Sequence, residues 1–160
     1  MVRSVSSSGR QASSRRSERT YRSGWLELDP PPTGDFILSG MDHISVPVTD
    51  VARTKAFYEA ILTPLGWTCS GWRADVYVGF KKRGSPALYF GAADRAAQVH
   101  LAFKADSEEK VKEFHRAALD AGGSDNGKPG PRPGYGASYY AAFALDPDGH
   151  NVEAVLGGVG

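Results

Sequence analysis

Two stretches of this chain read as copies of one another. Laying MDHISVPVTDVARTKAFYEAIL over QVHLAFKADSEEKVKEFHRAAL, at a shift of 57 residues, pairs His43 with His100, Lys55 with Lys112, Phe57 with Phe114, Ala60 with Ala117 and Leu62 with Leu119. A shared helical period would align apolar positions but not a histidine and a lysine in the same register, so duplication is the simplest origin. The fold must then be built from two like units, each opening at a histidine.

Each unit starts with a short alternating segment, HISVPV or HLAF, whose period of two predicts a half-buried strand. A helix follows. The first starts at Thr49 or Asp50, either able to cap it, with Val51, Phe57, Ile61 and Leu62 as its inward stripe. The second is capped by Asp106 or Ser107, carries acids in its first turn and ends at Gly122 and Gly123. Three more strands fit the first unit, at 67–72, 76–81 and 87–90. In the second unit DNGKPGPRPGYG leaves room for only a short strand or a long loop, and then SYYAAFAL and HNVEAVL bracket the turn DPDG as a hairpin. The pattern is βαβββ twice, an α+β domain spanning 41–160.

Strand alternation places the chemistry. His43 shares a face with Ser45 and Pro47, opposite Ile44, Val46 and Val48; His100 shares one with Ala102, opposite Val99, Leu101 and Phe103. Glu153 lies with Asn151 and Val155, opposite Val152 and Ala154, a mid-strand carboxylate where β-propensity disfavours it. Two imidazoles and a carboxylate on the non-core faces of two sheets can form a three-ligand facial metal site with open positions, which is a catalytic rather than a closed structural arrangement. Among the other histidines, His150 is expected to fix the DPDG turn and His115 to fall on the exposed side of the second helix. Cys69 has no cationic neighbours in sequence to activate it.

Composition limits the partners. The 19 Lys plus Arg against 18 Asp plus Glu point to neither nucleic acid nor a membrane surface, leaving a small molecule as the expected partner. A single cysteine makes no internal disulfide, and no apolar run approaches a membrane span, so a cytoplasmic location is expected. Residues 1–40 differ from the rest: MVRSVSSSGRQASSRRSERTYRSG is rich in Ser and Arg with one acid and no hydrophobic period, and the stretch through Pro31 and Pro32 reads as a linker. The arm is expected to be disordered. An organelle transit peptide, or upstream codons before a true start at Met41, are the alternatives.

MDHISVPVTDVARTKAFYEAIL and FALDPDGHNVEAV resemble the opening strand and helix and the closing hairpin of the vicinal oxygen chelate superfamily, which includes glyoxalase I, extradiol dioxygenases, fosfomycin-resistance transferases and bleomycin-binding proteins. The resemblance covers 41–157. It implies two βαβββ modules forming a curved, cup-shaped mixed sheet with helices outside, and a divalent metal (iron, manganese, zinc or nickel) held by His43, His100 and Glu153. Glyoxalase I takes a fourth ligand from the last strand of the first module. Here that strand reads PALYFG, and its candidates Ala87, Leu88 and Tyr89 include no carboxylate. Tyr89 is therefore a candidate for that corner or for sheet packing. By the same resemblance Tyr135, Tyr139 and Tyr140 are expected near the mouth of the cup, and the chain is expected to form a homodimer.

The resemblance thus implies a metal-dependent lyase or isomerase, dioxygenase or thiol transferase acting on a small oxygenated substrate, with no individual catalytic residue assigned. The alternative is a protein that sequesters a drug or toxin in the same cup without turnover.

Overall fold

Two parallel strand pairs, one per unit, set the frame. The structure, a computed structural model, describes residues 41–158, so the expectations for residues 1–40 lie outside the described residues. In the first unit β1 (His43–Val48) leads through α1 (Val51–Leu62) and a 3-10 turn (Thr63–Leu65) to β2 (Thr68–Arg73), β3 (Tyr77–Lys81) and β4 (Ala87–Ala92). In the second, β5 (His100–Lys104) leads through α2 (Glu108–Asp120) to β6 (Ser124–Pro131), β7 (Tyr140–Leu145) and β8 (Asn151–Leu156). The sheets run β1-β4-β3-β2 and β5-β8-β7-β6. In both, the first strand of the unit lies parallel to its last, which requires a crossover, and the rest of the sheet is antiparallel. This is the tandem βαβββ, α+β architecture that the repeat predicts.

Local chemistry accounts for the helices. Asp50 caps α1, its carboxylate accepting from the Arg53 backbone N–H at 2.9 Å. Ser107 caps α2 by accepting from the Lys110 N–H at 3.3 Å, and Glu108 and Glu109 oppose the positive end of its dipole. Val51, Phe57, Ile61 and Leu62 of α1 and Val111, Phe114 and Ala118 of α2 are buried in one core shared by both units. Trp67 meets Phe103 edge-on at 5.6 Å across the junction. Gly123 permits the closest approach: a Cβ there would lie 2.8 Å from Phe57 Cε2 and 2.7 Å from the Leu145 carbonyl oxygen.

Two expectations are revised. His115 is buried rather than exposed, its Nε2 2.9 Å from Asp125 Oδ1, because the start of β6 folds back over α2. The Gly- and Pro-rich stretch forms an eight-residue strand, with register shifts between Asp125 and Gly130 absorbing residues that break a regular ladder. Leu119, the counterpart of buried Leu62, is 40% exposed.

The Asp-Pro-Asp-Gly turn between β7 and β8 docks onto α1. Asp146 Oδ1 accepts the backbone N–H groups of Asp148 and His150 at 2.9 and 2.8 Å, closing the turn. Its Oδ2 accepts the buried Tyr58 hydroxyl at 3.0 Å. Asp148 accepts the Thr49 N–H at 3.1 Å, the Thr49 hydroxyl and Arg53 Nη2 at 2.9 Å, at the positive end of α1. Desolvation, followed by the two aspartates, pushes the Tyr58 phenol well above its ordinary value.

Tyr58→Phe leaves one oxygen of Asp146 without its donor and is expected to cost about 1–3 kcal/mol in urea unfolding, with one cooperative transition because the units share a core. The hydrogen bond from His115, and then the Gly127 N–H, hold the Asp125 carboxyl below the usual aspartate range. The resulting stability is complete above 3.8, the ordinary aspartate value, and is lost as pH falls below it through the folded value. Asp125→Asn is expected to remove that part of the acid dependence in thermal melts taken across this window.

Candidate functional site

Parallel pairing of β5 with β8 sets His100 opposite Asn151 and Ala102 opposite Glu153, and β7 places Phe143 opposite Glu153. Partners in register point the same way, so His100, Asn151, Glu153 and Phe143 share the face turned away from the helices. Glu153 is only 2% exposed. A carboxylate so buried needs hydrogen-bond partners, and it has two. Its Oε2 lies 3.0 Å from His100 Nε2, and its Oε1 accepts from the Tyr139 hydroxyl at 2.7 Å. That hydrogen bond, before desolvation, pushes the Tyr139 phenol up to about 12, so the phenol acts as a proton-bearing donor to Glu153 and not as a base.

His100 is also fixed from behind. Asn151 Nδ2 sits 2.7 Å from His100 Nδ1, while Asn126 Nδ2 donates to Asn151 Oδ1 at 3.0 Å. The Phe143 ring stacks near the imidazole, centroids 6.3 Å apart. An imidazole nitrogen and a carboxylate oxygen thus converge at hydrogen-bonding distance, each oriented by a neighbour.

The first unit repeats the frame with different side chains. His43 pairs with Ala87 and Ser45 with Tyr89, as His100 pairs with Asn151 and Ala102 with Glu153. Tyr89 therefore holds the position equivalent to Glu153, and among Ala87, Leu88 and Tyr89 the register singles it out. Its ring lies 5.8 Å from that of His43 and 6.2 Å from that of Tyr77. Burial, then Tyr77 and Asp42, raise its phenol pKa. His43 itself is half exposed, with Nδ1 2.7 Å from Asp42 Oδ1.

The structure brings His100 and Glu153 together and leaves His43 on the other sheet. Among the described residues no group of three or more His, Cys, Asp or Glu side chains converges. Of the tyrosines, Tyr139 touches Glu153, and Tyr135 is exposed and edge-on to Tyr139 at 5.3 Å. Tyr140 turns to the opposite face, against the core and beneath Lys112. His150 is fully buried with no hydrogen-bond partner on either ring nitrogen among the described residues, and its backbone rather than its ring closes the turn. Cys69 is an exposed free thiol. Sequence reasoning passed over Asn151 and Asn126 as working residues, although Asn151 stands two positions before Glu153 on the same strand face.

Gly79 underlies the Tyr89 ring: a Cβ there would come within 2.6 Å of Tyr89 Cε1 and 2.8 Å of Cδ1. Gly79→Ala is expected to push the ring off its seat at about 1–3 kcal/mol, seen as a lower melting temperature with a change in the near-ultraviolet tyrosine dichroism.

The sequence profile described as Glyoxalase/Bleomycin resistance protein/Dioxygenase superfamily matches residues 40–154. A search of curated proteins finds no match. Among solved structures, a glyoxalase/bleomycin resistance protein from Albidiferax ferrireducens T118 aligns with TM-score 0.63 and 27% identity over 73% of this chain and 98% of its own. A glyoxalase-related enzyme from Fulvimarina pelagi aligns with TM-score 0.59 and 20% identity over 77% and 96%. A genomically encoded fosfomycin resistance protein from Listeria monocytogenes gives TM-score 0.59 and 22% identity over 77% and 97%; at these last two identities the likeness is one of fold.

Proposed function

Because the chain belongs to the glyoxalase/bleomycin resistance protein/dioxygenase superfamily, we propose that it is a metal-dependent enzyme acting on a small oxygenated molecule, with His100 and Glu153 as two of the ion's ligands. The observation that carries this reading is the 3.0 Å approach of His100 Nε2 to Glu153 Oε2 on a non-core sheet face. Nitrogen and carboxylate oxygen donors suit iron, manganese, zinc or nickel. A divalent ion there supplies Lewis acidity, polarising a substrate oxygen.

The chain's own residues prepare the site. Tyr139 orients the Glu153 carboxylate and takes up its second oxygen. As placed, Asn151 Nδ2 donates to His100 Nδ1; a half-turn of its amide would instead present Oδ1 to an Nδ1–H, the tautomer that frees Nε2 for a ligand bond, as outer-shell partners of ligating histidines do. The third ligand is His43 of a second copy of the chain, in a homodimer that sets the first unit of one protomer against the second unit of the other. The reading is supported by the matching frames of the two faces and by the separation of His43 from His100 and Glu153 within one chain.

A second reading, sequestration of a ligand without turnover, is favoured by the aromatic row of Tyr77 and Tyr89 beside His43, a surface suited to stacking.

Protein purified without chelator is expected to carry close to one transition-metal ion per chain by mass spectrometry. Glu153→Ala and His43→Ala are each expected to lower that content at least tenfold, with sedimentation reporting a dimer. Iron would direct activity screens to dioxygenase chemistry; manganese, nickel or zinc would direct them to isomerase, lyase or transferase chemistry. Failure of the wild type to bind metal even on reconstitution would favour sequestration.

A further inference from the structure

We infer that Arg132 is an anion anchor for the ligand of this site, which makes that ligand a small molecule bearing a carboxylate or similar oxyanion beside its chelating oxygens; the inference rests on the metal-site reading above. Arg132 follows β6 directly, and its guanidinium carbon lies 5.4 Å from the centroid of Phe143, the same ring that stacks near His100. The cation and the His100–Glu153 pair therefore flank one aromatic side chain on one sheet face.

The position is built. The Arg132 backbone N–H donates to the Tyr139 carbonyl at 2.8 Å, tying the arginine to the residue that holds Glu153. Its Nη2 donates to the Lys128 carbonyl at 2.6 Å. Gly127 leaves the space: with φ +152, a Cβ there would sit 2.9 Å from Phe143 Cδ2 and 3.4 Å from Arg132 Nη2. Ring and guanidinium thus occupy a cradle that any side chain would disturb.

The cation is also unspent. Among the described residues no carboxylate pairs with Arg132, whose side chain donates to a carbonyl instead. Glu153 is engaged by His100 and Tyr139 instead. A guanidinium offers five donors in a planar fork matched to carboxylate geometry, and here one is used on a carbonyl. A half-buried charge stacked on an aromatic ring gains modestly from the ring and much more from an oxyanion. A divalent ion offset by the single charge of Glu153 leaves the site net positive, and Arg132 adds to that sign.

The test uses the full chain reconstituted with manganese(II) and two probes that chelate alike and differ in charge: acetohydroxamate and the monohydroxamate of malonate. Calorimetry is expected to show the carboxylated probe binding wild type about tenfold or more tightly, the worth of a charge-assisted hydrogen bond. Arg132→Gln should abolish that preference while leaving acetohydroxamate affinity unchanged, and Arg132→Lys should retain part of it. Equal affinities in wild type, or a preference that survives Arg132→Gln, overturn the anchor.

A metal-free arm separates the two readings by titrating malonate or malonamide and following the Arg132 Nε–H resonance. If acetohydroxamate does not bind the manganese-treated protein, this arm decides the anchor. A shift with malonate alone upholds it; no shift, or the same shift with malonamide, overturns it.

Discussion

The docking of the Asp-Pro-Asp-Gly turn onto α1 is the constraint on which the rest of the arrangement depends. Tyr58 is fully buried and would carry an unpaired hydroxyl into the core were Asp146 not there to accept it. The other oxygen of Asp146 closes the turn that starts β8, so one carboxylate both shapes the last hairpin and ties it to the first unit. Leaving either group unpaired in a low-dielectric interior costs more than the hydrogen bond gains in water, which makes the contact close to obligatory. The start of β8 at Asn151, and with it the register that delivers Glu153, follows from where this turn is held.

Duplication supplied two like frames that then diverged in use. On the second sheet the positions opposite His100 and Ala102 carry Asn151 and Glu153, a pair that orients and complements an imidazole. On the first, the same positions carry Ala87 and Tyr89, and His43 meets an aromatic ring and Asp42 instead. One backbone plan therefore yields one polar corner and one aromatic corner. The polar corner concentrates the buried charge and its partners; the aromatic corner offers a face for stacking. The proposed site needs a donor from the first and both donors from the second, which gives the separation of the units a functional meaning.

The helices, the strand alternation and the closing hairpin were legible because each rests on local chemistry: capping side chains, apolar periods and turn residues close in sequence. β6 was legible only as a short strand or a long loop, because its Gly and Pro residues signal breakage, whereas pairing with β7 and packing against α2 override that signal. His115 was misplaced: at i+4 from Val111 and three before Ala118 it lies on the inward stripe of α2, and the return of β6 over α2 supplies Asp125 as its partner. Leu119 shows the converse, since duplication preserved its identity with Leu62 but not its burial.

By itself the sequence determined the βαβββ repeat and the face on which His43, His100 and Glu153 each project, which follow from periodicity and strand alternation, and its opening and closing motifs carried the resemblance to the family. The tertiary structure alone decided who meets whom. It joined His100 to Glu153, brought Tyr139 and the two asparagines behind them, set Tyr89 in the place of a carboxylate, turned Tyr140 to the other face and seated Arg132 over Phe143. Those contacts link residues from 11 to more than 50 positions apart, and their distances depend on strand register, bulges and the docking of one turn, which no local pattern encodes.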